Sequence, residues 1–337
     1  MKSFLSLSIL GVLALGTACT PKTKSYATID GFAQGSTYHI VYNDPQGRDL
    51  RNDIEELLED FDNSLSVYNP SSLLTRLNGN DTSAIPDKWF AECLGISRGI
   101  SDDTDGAFDV TLRPLIAAYR IGTDDTPHIL SQREIDSIRA FTGYKKVRIE
   151  NGQLVKDDPR LALDFNAIAQ GYSSDLMGAM FDSLGIRDYM VEIGGEILCK
   201  GRNPEGKEWR VGIDRPVEGN MVPGEDLQTI LTLTDRGLVT SGNYRKFAFD
   251  ENGNKVTHTI DPHTLKPAVH NLLSATIIAP TSAIADGYAT ACMVIGLEKS
   301  KQLLERHPEM EAYLVFSQPD GSMGVYTTPN IRKRIMK

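Results

Sequence analysis

The sequence predicts an α+β protein: largely antiparallel sheets flanked by helices, in two interwoven subdomains. Three observations carry that expectation. Apolar residues recur at helical spacing in a few long segments. The later half is rich in short alternating runs punctuated by Gly, Asn and Asp. Strand and helix signals do not alternate regularly enough for a doubly wound parallel sheet.

In chain order, "GFAQGSTYHIVYND" reads as an opening strand. "RNDIEELLEDFDNSLSVYN" follows with Ile54, Leu57, Leu58, Phe61 and Leu65 on one helical face. A second helix around residues 88–100 places Trp89, Cys93, Ile96 and Ile100 on one stripe. "DFNAIAQGYSSDLMGAMFDSLG" predicts a third helix over 164–184, with Asp164 at its N-cap and Gly185 as its stop. "YMVEIGGEILCKG", "WRVGIDRP", "LQTILTLTDRGLVTSG" and "KFAFDENGNKVTHTIDP" read as strands. "APTSAIADGYATACMVIGLEKSKQLL" is a helix of small and apolar residues, and a hairpin around Pro319-Asp320-Gly321 closes the chain.

A length of 337 residues with 40% hydrophobic content supports one large domain or two intimately packed ones. The formal charge of −10 argues against a nucleic-acid partner, which would want a basic face. At the N-terminus, Lys2 and an apolar run from Phe4 to Leu15 are too short to span a bilayer and fit a secretory signal over residues 1–18. Cys19 after Gly-Thr-Ala resembles the lipobox of bacterial lipoproteins, with Gly16 where Leu is usual. Residues 19–27 would then form a lipidated tether and 28–337 the working domain. Cys93, Cys199 and Cys292 are widely spaced in apolar contexts, so they predict buried thiols rather than a disulfide or zinc pattern.

The helix of alanines contains an acid, Asp286, and a hydroxyl, Thr290, which i,i+4 spacing stacks on one face. Two hard oxygens there suit Mg²⁺; an Asp favoured by the helix dipole, with Thr290 bonding back to a carbonyl, is the alternative. His258, at a strand end before Asp261-Pro262, could act as a base or bind phosphate. Tyr68 before a proline turn and Phe108 beside Asp109 offer aromatic platforms for a planar ligand, unless they are ordinary core. Gly194-Gly195 after an apolar strand would allow close backbone approach to a ligand. No G-x-x-x-x-G-K-[ST], G-x-G-x-x-G or H-E-x-x-H occurs.

Taken in order, "AQGSTYHIVY", "SVYNPSSLLTRLN", "GAFDVTLRPL", "LDFNAIAQGYSSD", "VEIGGEILCKG", "LVTSGNYRKF", "HTIDPHTLKP" and "AIADGYATACMVIG" resemble the ApbE-type FAD:protein FMN transferases. The resemblance implies transfer of FMN from FAD to Thr or Ser of a target flavoprotein, with release of AMP. It implies Mg²⁺ held by Asp286, Thr290 and the carbonyl of Ala167. It implies FAD contacts at Gln34, Tyr68, Ala107, Phe108, Asp109, Asp164, Gln170 and Thr257, and a catalytic role for His258. Partners would be FAD, subunits of membrane redox complexes of the Rnf and Nqr kind, and a membrane reached through the lipid anchor, facing the periplasm. Departures are Gln34-Gly35-Ser36 for Met-Gly-Thr, Gln170 for Lys or Glu, Glu196 for Asp, and Leu265 for Gly. An Mg²⁺-dependent FAD pyrophosphatase and a non-catalytic flavin-binding lipoprotein are the alternatives.

Overall fold

The computed structural model describes residues 25–120, 127–220, 222, 224–243, 247–249, 255–257 and 259–336. Its centre is an eight-stranded sheet whose order in space is its order in the chain. The strands are β1 (Ala27–Ala33), β2 (Ser36–Tyr42), β3 (Tyr189–Ile193), β4 (Glu196–Lys200), β5 (Arg236–Gly242), β6 (Leu272–Ala279), β7 (Glu311–Ser317) and β8 (Met323–Thr327). Every neighbouring pair is antiparallel. The helices lie in excursions from this meander. Between β2 and β3 come α1 (Arg51–Leu65), α2 (Leu73–Asn78), α3 (Lys88–Asp103), α4 (Arg113–Ala118), α5 (Gln132–Arg139) and α6 (Ala169–Ser183). Between β6 and β7 comes α7 (Ser282–Arg306).

The opening segment is two strands rather than one. Gln34 and Gly35 both take positive φ, 53° and 73°, and turn β1 back onto β2. Two left-handed residues are what a tight primed hairpin turn needs, and alternation alone does not display them. Tyr26 already belongs to the body: its ring meets Trp209 edge-on and its hydroxyl donates to the Arg202 carbonyl at 2.8 Å. β1 is thus preceded by a residue that already packs on the body.

Strand alternation divides the core. Val239, Ile277 and Leu314 face the layer of α3, α6 and α7. Their neighbours Leu238, Ile278 and Val315 face a separate hairpin, Trp209–Asp214 with Leu227–Leu233, that covers the other side of the sheet. Cys93, Cys199 and Cys292 are all buried thiols. A further core gathers Leu115 of α4, Ile135 and Ile138 of α5, and Ile260 and Leu265 from far along the chain. That return visit is what interweaves the two subdomains. Leu265 holds φ at 58° while only 2% exposed, so apolar burial offsets a left-handed backbone that glycine would accept freely.

Candidate active site

Two helix starts meet at the base of the candidate site. The first amides of α7, from Ser282 and Ala283, donate to the Asp175 carboxylate at 2.8 and 2.9 Å. Asp175 belongs to α6, and α7 returns a carboxylate: the Gly171 amide near the start of α6 donates to Asp286 Oδ2 at 3.3 Å. Unpaired N-terminal amides and the helix dipole favour anions at both places. The exchange requires glycine. A Cβ on Gly171 would lie 2.6 Å from the Ser282 carbonyl oxygen, and one on Gly237 of β5 would lie 2.4 Å from the Ser282 nitrogen. Helix, helix and strand thus touch backbone to backbone at one residue.

Asp286 is 5% exposed, and its only hydrogen bond among the described residues is that long one from Gly171. Burial pushes its carboxyl up to about 7, the Gly171 amide opposes the rise, and the negative charge of Asp175 adds to it. Burial also raises Asp175, to about 6, against the lowering effect of its two amide donors. Thr290 is half-buried and does not bond back along its helix; its Oγ1 lies 3.4 Å from Ser241 Oγ on β5. A buried carboxylate with one weak donor and a hydroxyl one turn on form a donor set for a hard cation such as Mg²⁺. The chemistry of the residues fits that ion. Ala167 sits in the turn that leads into α6, four residues ahead of Gly171.

Several of the expected contact residues sit differently from their local sequence reading. Asp164 is not a helix N-cap: α6 begins at Ala169, and its N-cap residue Ile168 offers no side-chain acceptor. Phe165 and Ile168 are pulled fully into the core, which delays the helix. Asp164 instead accepts the Asn166 amide at 2.9 Å and pairs with Arg113 at 3.3 Å; burial still raises its carboxyl. Phe108 is 1% exposed within the main core, so its ring is packing and not a platform, and Ala107 is as deeply buried. Tyr68 is different. Its ring is 74% exposed, and its hydroxyl accepts from Asn166 Nδ2 at 3.1 Å.

Gly194 does come close to something, but to this chain's own Gln170, whose amide nitrogen would lie 2.3 Å from a Cβ there. Gln34 accepts from Ser173 Oγ at 3.4 Å while its Nε2 is buried with no acceptor among the described residues. Thr257 Oγ1 is likewise buried without a partner among the described residues. Asp109 spends one oxygen on the Thr111 amide and hydroxyl, both at 2.7 Å, and the other on the Tyr144 amide at 3.0 Å. Burial is the main cause that raises its carboxyl. His258 and Cys19 lie outside the described residues. Sequence reasoning missed Asp175, Gly171, Ser241 and Asn166; "AQGYSSD" and "LVTSG" contain three of them, but only their long-range contacts with α7 reveal their use.

Comparison with known proteins bears on the whole chain. The model of the ApbE family matches residues 34–314. The chain belongs to the ApbE family. An FAD:protein FMN transferase of Haemophilus influenzae is 32% identical, with 95% of each chain covered. One from Vibrio cholerae is 33% identical over 94% of each. Among solved structures, the flavin transferase ApbE from Vibrio cholerae aligns with a TM-score of 0.81 at 31% identity, covering 92% of this chain and 99% of that one. The apo flavinyl transferase ApbE of Pseudomonas stutzeri aligns with a TM-score of 0.81 at 32% identity, covering 92% and 97%. ApbE relatives and the antiparallel α+β architecture agree.

Proposed function

We propose that this ApbE-family chain transfers FMN from FAD to a Thr or Ser hydroxyl of a flavoprotein, in a reaction that depends on Mg²⁺. The new bond joins the acceptor oxygen to the FMN phosphorus. The bond that breaks is the one from that phosphorus to the bridging oxygen of the diphosphate, and AMP leaves with the electron pair. One observation carries the metal part of this reading: Asp286 is a buried carboxylate whose single donor is 3.3 Å away. Asp286, Thr290 and the Ala167 carbonyl would hold the ion. Bound there, Mg²⁺ supplies charge neutralisation and a Lewis acid for the diphosphate.

The protein's remaining work is positioning and proton handling, because phosphoryl chemistry needs little covalent help. Tyr68, exposed and steadied by Asn166, offers a face for a planar ring. The orphaned Gln34 amide and Thr257 hydroxyl are unsatisfied polar groups that a polar ligand would relieve. The family resemblance assigns His258 the acceptor's hydroxyl proton, a role worth roughly 10²–10⁴-fold. The lipobox-like residues before Cys19 support lipidation there and an anchor facing the periplasm, and the family resemblance supports acceptors in redox complexes of the Rnf and Nqr kind.

The test combines FAD, Mg²⁺ and a soluble acceptor domain, and follows acceptor mass and AMP. Modified acceptor with equimolar AMP is the expected result. AMP alone would convert the reading to a pyrophosphatase. An Asp286→Ala variant that keeps full activity at limiting Mg²⁺ would refute the metal assignment.

A further inference from the structure

Two layers flank the main sheet, and the candidate site belongs to one of them. α3, α6 and α7, the last carrying Asp286, cover one face, while the hairpin of Trp209–Asp214 with Leu227–Leu233 covers the other. That hairpin is where the N-terminal segment joins the body. The Tyr26 hydroxyl lies 2.8 and 3.2 Å from the carbonyl oxygens of Arg202 and Asn203, and its ring meets Trp209 edge-on at 6.2 Å. Residues near the C-terminal end reach the same hairpin. The Thr232 amide donates to the Arg334 carbonyl at 2.8 Å, and the Met336 amide to the Ile230 carbonyl at 2.9 Å.

Beside these junctions lies a hollow of about 550 Å³. Arg202, Lys207, Arg210 and Glu208 line it with Thr232 and Met336, around a turn in which Gly206 takes φ 75°. Three cations and one carboxylate, on a chain of formal charge −10, make a local reversal of sign. Nearby acids are already engaged. Glu205 is shared by Arg210 and Lys207, and Asp188 and Asp235 accept the amides of Arg202 and Gly201 at 2.9 and 3.1 Å. All three basic side chains are exposed. Met336 and Ile230 keep 41% and 38% of their surface open, so apolar groups flank the charge. This combination fits the boundary of an anionic bilayer, where guanidinium and ammonium groups meet phosphates and apolar side chains meet the acyl edge.

We infer that this hairpin face rests on the membrane, with an anionic phospholipid headgroup in the hollow of Arg202, Lys207 and Arg210. Chain length selects that occupant. Seven residue steps separate Cys19 from Tyr26, a span of at most about 25 Å. A domain of this length is about 50 Å across. A lipid on Cys19 therefore holds the hairpin face near the bilayer, and the leash is too short for the helix layer to reach it. Asp286 then lies on the side of the sheet turned to water. The inference rests on the lipidation proposed above.

The two tryptophans, Trp209 on the hairpin and Trp89 on α3, report the two layers separately. The exported full chain is purified and the state of Cys19 is read by mass. It is then placed in phosphatidylglycerol or phosphatidylcholine vesicles that carry a spin-label quencher on the headgroup. Trp209 fluorescence, followed in Trp89→Phe, should be quenched in phosphatidylglycerol and recover at high salt. Trp89, read as the difference between wild type and Trp89→Phe, should stay unquenched. Each basic residue at an anionic surface shifts the docked population about fivefold, so combining Arg202→Gln, Lys207→Gln and Arg210→Gln should lower the docked-to-free ratio at least about tenfold. Melting temperature and FMN transfer to a soluble acceptor should match the wild type, since exposed ion pairs contribute little. Quenching that is equal for both tryptophans, equal in both lipids, or untouched by the triple variant overturns the membrane face while lipidation stands. A triple variant that loses self-association in detergent, with its quenching in vesicles unchanged, gives the face to a second copy and overturns the membrane as occupant. An exported chain with unmodified Cys19 overturns lipidation and the orientation together.

Discussion

The starts of α6 and α7 receive carboxylates from each other, yet the two carboxylates are used differently. Asp175 gives both oxygens to two amides at 2.8 and 2.9 Å, a complete cap for α7. Asp286 gives one oxygen to one amide at 3.3 Å and keeps the rest of its capacity. Both are buried, and both carboxyls are raised mainly by that burial. A satisfied buried anion holds structure together. An underused one is an electrostatic debt that a cation can settle. The contrast sets a fully capped acid beside an undersatisfied one at a single helix crossing.

Replacing Asp286 should have the largest effect. Asp286→Ala should lower Mg²⁺-dependent transfer by more than roughly 100-fold, beyond the range typical of residues that only orient a ligand. The metal-free protein should melt at or above the wild-type temperature, because a buried charge has gone. A large drop in that melting temperature would erase the distinction between the two acids. Chelation of divalent ions should reproduce the kinetic loss in the wild type.

Gly171→Ala probes the crossing itself. The added methyl meets the Ser282 carbonyl oxygen at 2.6 Å and must push α7 away, at a cost of about 1–3 kcal/mol read by denaturant or thermal melting. Transfer should fall as well, since Asp286 moves with α7. Unchanged stability would mean that the helices are not in fixed contact there.

Asp175→Asn is the milder counterpart. One of the two α7 amides loses its acceptor, so stability should fall by about 1 kcal/mol in the unfolding curve, with the fold retained. A loss of activity without a loss of stability would instead place Asp175 in the site.

The smallest effect concerns pH. The Asp175 carboxyl is raised to about 6 in the fold, above the carboxylate's unfolded value near 3.9. Between those values the folded chain binds more protons than the unfolded one, so this group's contribution to stability falls as pH rises and is least above pH 6. The difference in melting temperature between wild type and Asp175→Asn, measured from pH 4 to 7, should show that slope. A difference that grows in the opposite direction would assign Asp175 to a strong ion pair.

Much of the fold is visible in the residues themselves. Ile54, Leu58, Phe61 and Leu65 announce α1, and Thr281 caps α7 where the alanine-rich run begins. Asp286 and Thr290 are legible as a pair because helical spacing is local. The turn at Gln34-Gly35 escapes because one of its left-handed residues is not glycine. The late start of α6 escapes because Phe165 and Ile168 answer to the core rather than to helix propensity. Phe108 reads equally well as core or platform until its neighbours are known.

Order along the chain determined the class of the protein, the helix that carries the two oxygens, and the family blocks that name the chemistry. Those features depend on spacing within a few residues, which sequence records directly. Tertiary structure decided that Asp175 caps α7 while Asp286 keeps a single long donor, and that Val294 and Val269 line a common groove. Such decisions rest on distances between residues up to 115 positions apart, as from Gly171 to Asp286. Burial and partnership at those distances arise only when the sheet brings both excursions to one face.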